Sequence, residues 1–118
     1  MKELCLTLAR ARHKDILEDL GFDVTEVVSG LMAIEEYHPS RYDLMMLDLH
    51  MPDLDGMTVC QLLRDEEKEL SWTRLPMIMV TSEQNELIKE GCLTAGATAV
   101  LSKPIDREQV SHVIKNCL

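Results

Sequence analysis

The sequence predicts an α/β domain built on a doubly wound parallel sheet, and three observations carry that prediction. Short apolar runs alternate with longer amphipathic segments along the chain. The runs Leu44-Met45-Met46-Leu47 and Met77-Ile78-Met79-Val80 lack any polar alternation, as expected of strands covered on both faces. Segments of helical length separate the strands, which makes βαβ units with right-handed crossovers and hence a parallel sheet.

Each element has its own signal. Phe22 to Val28 alternates loosely and carries Val24, Val27 and Val28, so it reads as a strand. Leu31 to Tyr37 is a short helix. The run from Leu44 ends in Asp48. Gly56 to Glu69 reads as a helix with Val59, Leu62 and Leu63 on one side. Pro76 introduces the Met77 run, which ends at Thr81-Ser82. Glu83 to Ala95 offers Leu87, Ile88 and Cys92 and stops at Gly96, a residue suited to a helix end. Ala99-Val100-Leu101 forms a last strand, ending at Ser102-Lys103-Pro104. A final helix follows Asp106, a good N-cap, with Val110, Val113, Ile114 and Cys117 at helical spacing.

Composition narrows the functional classes. A chain of 118 residues fits one domain, residues 1–118, that buries a single core without disulfides or metal. Aromatic residues make up only 3%, so aliphatic side chains and eight methionines must fill the core. The net charge of −9 and the absence of any basic run argue against a nucleic-acid surface. Cys5, Cys60, Cys92 and Cys117 are dispersed, with no metal-ligand or redox spacing, and read as free thiols of a reducing compartment. No apolar run approaches a membrane span, and the start does not resemble a signal peptide. The expectation is a soluble cytoplasmic protein that binds neither nucleic acid nor membrane.

In a parallel sheet of this kind the ligand site lies beyond the carboxyl ends of the strands. Asp48, Thr81 and Lys103 each sit at that end of an expected strand, so they should converge. A carboxylate, a hydroxyl and an ammonium at one sheet edge suit capture of a phosphoryl group. Asp48 can act as nucleophile and form an acyl phosphate. Such transfer needs positioning and charge neutralisation more than covalent machinery. Lys103 would neutralise one phosphoryl oxygen. Thr81 would donate a hydrogen bond to another and report the event by moving. A divalent cation with oxygen ligands, magnesium first among them, would bridge carboxylate and phosphate.

Leu47-Asp48-Leu49-His50-Met51-Pro52-Asp53-Leu54-Asp55-Gly56 resembles the phosphoacceptor loop of response-regulator receiver domains, including its Met-Pro and Asp-Gly turn. Pro76 to Ser82 resembles their fourth strand, and Gly96 to Pro104 their fifth, whose Lys-Pro end often holds a cis peptide. The resemblance runs from about Ile16 to the C-terminus. It implies a flavodoxin-like fold, with Asp48 as phosphoacceptor, Thr81 as switch hydroxyl and Lys103 as phosphoryl-binding lysine. The backbone carbonyl of His50 matches a metal ligand beside Asp48, while the His50 side chain matches a variable, solvent-facing position. Pro52 and Gly56 match turn residues. The implied partners are a sensor histidine kinase or phosphotransfer protein and a downstream protein target, read through about Glu83 to Leu118. Enzyme chemistry beyond the domain's own phosphorylation and dephosphorylation is not expected, and His13, His38 and His112 read as surface or helix residues.

The N-terminus departs from the family, whose first strand ends in adjacent acids that hold magnesium. Counting back from Gly21 places those acids near Leu4 and Cys5, so the first strand is degenerate or missing. In one reading Leu4-Cys5-Leu6-Thr7-Leu8 is a substitute strand followed by a shortened helix. In the other, residues 3–20 form one helix with Leu6, Ala9, Ile16 and Leu20 facing inward. Helix-favouring composition supports the second. The unpaired backbone that a missing central strand would expose supports the first. Either way the magnesium site is weakened, since each ~1.4 kcal/mol lost is tenfold in affinity. Rescue by Asp53 or Asp55 runs against their place in the turn, so phosphorylation of Asp48 is expected to be slow or absent. Val100 stands where the family commonly carries Tyr or Phe, which either is neutral or weakens the output switch.

Three functions compete. The first is a phosphoaccepting receiver. The second is a pseudo-receiver, an interaction module that is not phosphorylated and forms a homodimer through its altered N-terminus. The third is a small flavodoxin-type electron carrier, which lacks a phosphate-cradling glycine loop and flavin-stacking aromatics. No output domain is recognisable within the 118 residues.

Overall fold

The computed structural model describes the backbone of residues 4–8 together with residues 13–38, 40–50 and 53–117. Among the described residues five strands and five helices alternate in the order β1 (Leu4–Leu8), α1 (His13–Asp19), β2 (Asp23–Val27), α2 (Gly30–Glu36), β3 (Leu44–Asp48), α3 (Gly56–Glu69), β4 (Met77–Thr81), α4 (Glu86–Ala95), β5 (Ala99–Ser102) and α5 (Arg107–Cys117). All strand pairs are parallel, in the order β2-β1-β3-β4-β5. The doubly wound parallel sheet expected from the sequence is therefore present.

The first strand is present, as the reading of Leu4 to Leu8 as a substitute strand expects, and it is degenerate only in lacking the terminal acids. Leu4–Leu8 pairs with Asp23–Val27 on one side and, from Cys5 onward, with Leu44–Leu47 on the other. The alternative of one helix over residues 3–20 is overturned. Local helix propensity is worth only a few tenths of a kcal/mol per residue, whereas an absent central strand strands the backbone groups of both neighbours. The cost falls on α1, which has only seven residues.

The apolar runs of β3 and β4 sit between two helical layers, and their side chains alternate between them. Met45, Leu47, Met77 and Met79 pack with Ala33 of α2, Val59 and Leu63 of α3 and Cys92 of α4. Leu44, Met46, Ile78 and Val80 pack on the opposite face with Leu17 of α1 and Val110 and Ile114 of α5. Methionine fills this core in place of rings, each fully buried side chain contributing roughly 1.5–3 kcal/mol. Cys60 and Cys92 are buried free thiols, and Cys117 is also free.

Helix starts follow their caps. Ser29, Asp55 and Asn85 accept backbone N–H bonds from Met32, Thr58 and Leu87. Asp106 accepts from Gln109 as expected. The Asn85 cap sets the start of α4 at Glu86, later than the expected Glu83. The expected inward faces shift as well. Leu62 and Leu87 are exposed, and Cys60 takes the inward place on α3. Gly96 ends α4 in the left-handed region at φ 118°. Among the described residues no helix is long and apolar enough to cross a membrane.

Candidate functional site

The strand order reverses between β1 and β3, and the crevice at such a point is where ligands bind in open parallel sheets. Asp48, the last residue of β3, stands there with its side chain buried. The ladder continues one step past it, Leu49 N–H donating to the Val80 carbonyl at 2.9 Å. The chain then turns back, and Gly56 N–H donates to the Leu49 carbonyl at 2.7 Å. A side chain at Gly56 would lie 2.6 Å from the Asp48 carbonyl and 2.5 Å from Met79 Sδ, so the start of α3 can close over the site only with glycine there.

Lys103 Nζ lies 3.0 Å from Asp48 Oδ1. The lysine is anchored by its own backbone, whose N–H donates to the Thr81 carbonyl at 2.8 Å, and Lys103-Pro104 is a cis peptide. Thr81 is buried on β4, one residue beyond Val80, the partner of Asp48 in the ladder. Its Oγ1 accepts the Glu83 N–H at 3.0 Å. The structure thus brings the three expected side chains to one edge, Asp48 and Lys103 in direct contact and Thr81 on the adjoining strand end. The His50 side chain points outward and meets Glu83 Oε1 at 3.0 Å. Pro52 lies outside the described residues.

One site residue was missed by reading the sequence. His13, the first residue of α1, is 1% exposed, and its Nε2 lies 3.7 Å from Asp48 Oδ1. Burial lowers its pKa, the Asp48 carboxylate opposing that shift and Lys103 reinforcing it, so the imidazole is neutral at pH 7. A carboxylate opposite favours the tautomer with hydrogen on Nε2. The signal was present in the four-residue spacing to Leu17, the other buried residue of α1. His38 is exposed, bonding Ser40 and tilting its ring against Trp72 at 4.8 Å, and His112 makes an exposed contact with Asn116.

The donors around Asp48 do not suit magnesium. That ion demands oxygen ligands in octahedral array. Among the described residues Asp48 is approached by an ammonium and an imidazole, and no three His, Cys, Asp or Glu side chains cluster to hold a metal. Asp53 is committed elsewhere. Its two oxygens accept the Gly30 and Leu31 N–H groups at 3.0 Å each, and these bonds lower its pKa. Asp55 caps α3. The place expected for the acids, near Leu4 and Cys5, falls at the start of β1, and the sequence that follows the strand is Ala9-Arg10-Ala11-Arg12, which contains no acid either.

This arrangement coincides with similarity to known proteins. The sequence model of the response regulator receiver domain matches residues 7–115. Hybrid signal transduction histidine kinase L of Dictyostelium discoideum is 34% identical over 103 residues, which cover 85% of this chain and 6% of that protein. Sensor protein GacS of Pseudomonas syringae pv. syringae is 30% identical over 99 residues, 84% of this chain and 11% of that protein. The chain therefore spans about a tenth or less of these two relatives. Among solved structures, the receiver domain of sensor histidine kinase PA1611 from Pseudomonas aeruginosa PAO1, with magnesium coordinated in its active site cleft, superposes with a TM-score of 0.83 at 26% identity, covering 99% of this chain and 98% of that one. The receiver domain of Ssk1 from Saccharomyces cerevisiae, crystallised with the phosphotransfer protein Ypd1, shares the fold with a TM-score of 0.89 at 19% identity, covering 98% and 88%. The buried acid at the reversal point of a 2-1-3-4-5 sheet, its lysine across the crevice and the match over residues 7–115 give one conclusion: the chain belongs to the response regulator receiver domain family.

Proposed function

We propose that this chain is a single receiver domain that accepts a phosphoryl group at Asp48 and passes the signal on by protein contacts. The observation that carries the reading is the Asp48–Lys103 pair at 3.0 Å on the crevice edge, with Thr81 at the end of the next strand. Asp48 Oδ would attack phosphorus, Lys103 would balance the charge gathered on the phosphoryl oxygens, and the Thr81 hydroxyl would leave the Glu83 N–H to bond one of them. The donor would be the phosphohistidine of a sensor kinase or phosphotransfer protein, a reading that the histidine-kinase relatives support, and the exchange would take place in the cytoplasm. The signal would leave through α4, β5 and α5 to a downstream protein or a second copy. Leu87 and Leu93 lie exposed on that face. The domain itself is a phosphoacceptor rather than an enzyme acting on other substrates.

Magnesium is held by the PA1611 receiver. Among the described residues its ligands here would be Asp48 and the His50 carbonyl, and we propose that they bind it weakly. The test is incubation with acetyl phosphate or phosphoramidate, read by intact mass. One hydroxylamine-labile phosphoryl group is expected on the wild type and none on Asp48→Asn. A chain that stays unmodified at saturating donor would instead be an interaction module that keeps the receiver fold.

A further inference from the structure

The His13 imidazole has no part in the chemistry above, yet it is as deeply buried as Asp48 and faces the same carboxylate oxygen as Lys103. We propose that His13 is a phosphoryl ligand of the Asp48 site, and that Asp48 is phosphorylated without magnesium because two nitrogen donors take over the stabilisation a divalent cation would give. The proposal rests on the reading of Asp48 as phosphoacceptor.

Four features of the site carry it. Nε2 of His13 stands 3.7 Å from Oδ1 of Asp48, too far for a hydrogen bond to that oxygen. The same separation brings Nε2 within reach of an oxygen on a phosphoryl group bonded to the carboxylate. Lys103 Nζ at 3.0 Å flanks the same oxygen, so the two nitrogens can bind different phosphoryl oxygens. The acids that would recruit magnesium are missing from Ala9-Arg10-Ala11-Arg12, and Asp53 and Asp55 bind the amino ends of α2 and α3. Packing fixes the imidazole, because Leu17, one turn along α1, is fully buried in the core beneath the sheet.

The step balances without a metal. A carboxylate oxygen of Asp48 attacks phosphorus. The bond from phosphorus to the leaving oxygen or nitrogen breaks, and the leaving group takes the electron pair. Acetate departs from acetyl phosphate, and ammonia from the protonated nitrogen of phosphoramidate. His13 donates its Nε2–H to one phosphoryl oxygen throughout and is unchanged at the end.

The experiment measures the rate of Asp48 phosphorylation by phosphoramidate and by acetyl phosphate, in EDTA and in excess magnesium. Wild type, His13→Gln, His13→Leu and His13→Asp are compared, each first checked for a cooperative thermal transition. The wild type is expected to react at the same rate in both media. His13→Gln keeps an N–H donor and should retain most of that rate. His13→Leu should lose about tenfold, the worth of one hydrogen bond to a charged group. His13→Asp, which pairs a second carboxylate with Asp48, should become dependent on magnesium, a change that damaged packing would not produce. A wild type that reacts only with magnesium, a His13→Leu variant as fast as wild type, or a His13→Asp variant indifferent to the ion overturns the inference and leaves Asp48 as phosphoacceptor. Absence of phosphate on Asp48 in either medium overturns both readings. Should His13→Leu fail to fold, the wild-type comparison of the two media decides alone.

Discussion

Asp53 presents its carboxylate to the amino end of α2, one oxygen to the Gly30 N–H and the other to the Leu31 N–H, across more than twenty residues of sequence. Those bonds favour the charged form and hold its pKa below the ordinary aspartate range. A carboxyl depressed on folding adds stability that is present above its unfolded pKa of about 4 and is lost as pH falls through the lower, folded value. Asp53→Asn can satisfy at most one of the two N–H groups. It should lower the thermal midpoint at pH 7, with the gap to wild type shrinking below about pH 4 as Asp53 itself becomes protonated. A gap that stays constant from pH 7 to pH 3 would show that the charge is not involved. At this scale the sequence disclosed Asp48, Thr81 and Lys103 because each closes an apolar strand. It did not disclose the Asp53 tether or the place of His13, since no local period links a turn to a distant helix end or a helix start to a strand end.

Helix α3 carries a charged run, Arg64-Asp65-Glu66-Glu67-Lys68-Glu69. The structure turns two of these residues inward, and Cys60, Leu63, Arg64 and Glu67 form the buried stripe. Arg64 donates to Glu67 Oε1 at 2.8 Å, to the Leu75 carbonyl at 2.7 Å and to the Gly96 carbonyl at 2.9 Å. Glu67 also accepts from the Tyr37 hydroxyl and from the Leu75 N–H. Burial, followed by the bond to Glu67, raises the Tyr37 pKa. This network ties α2, α3 and the residues leading into β4 and β5 at the amino edge of the sheet, opposite Asp48. Glu67→Ala would leave a buried guanidinium without its counter-charge and should cost about 3–5 kcal/mol in urea denaturation. Phosphorylation of Asp48 should persist in that variant under native conditions, because the two sites occupy opposite ends of the strands. The expected inward position of Leu62 failed for the same reason: hydrophobicity alone places the stripe one residue away from where paired charges allow it.

The whole molecule depends on β1, the strand that joins β2 to the remainder of the sheet. Thr7 lies opposite Glu26 on one side and Met46 on the other. Proline there cannot donate to a ladder and clashes in a central strand, at a cost of about 3 kcal/mol or more. Against a typical stability of about 5–15 kcal/mol, Thr7→Pro should greatly lower or abolish the cooperative transition seen by circular dichroism. A melt close to wild type would show that the sheet does not rely on this strand.

By itself the sequence determined the alternation of strands and helices, the two-sided burial of β3 and β4, and the placing of Asp48, Thr81 and Lys103 at the carboxyl ends of β3, β4 and β5, because all of these follow from local period and strand termination. Tertiary structure alone decided that Leu4–Leu8 is a strand rather than part of a helix, since pairing on two sides outweighs a weak local preference. It also decided that His13 faces Asp48, because a short helix packed over a central strand brings together groups that no spacing along the chain connects.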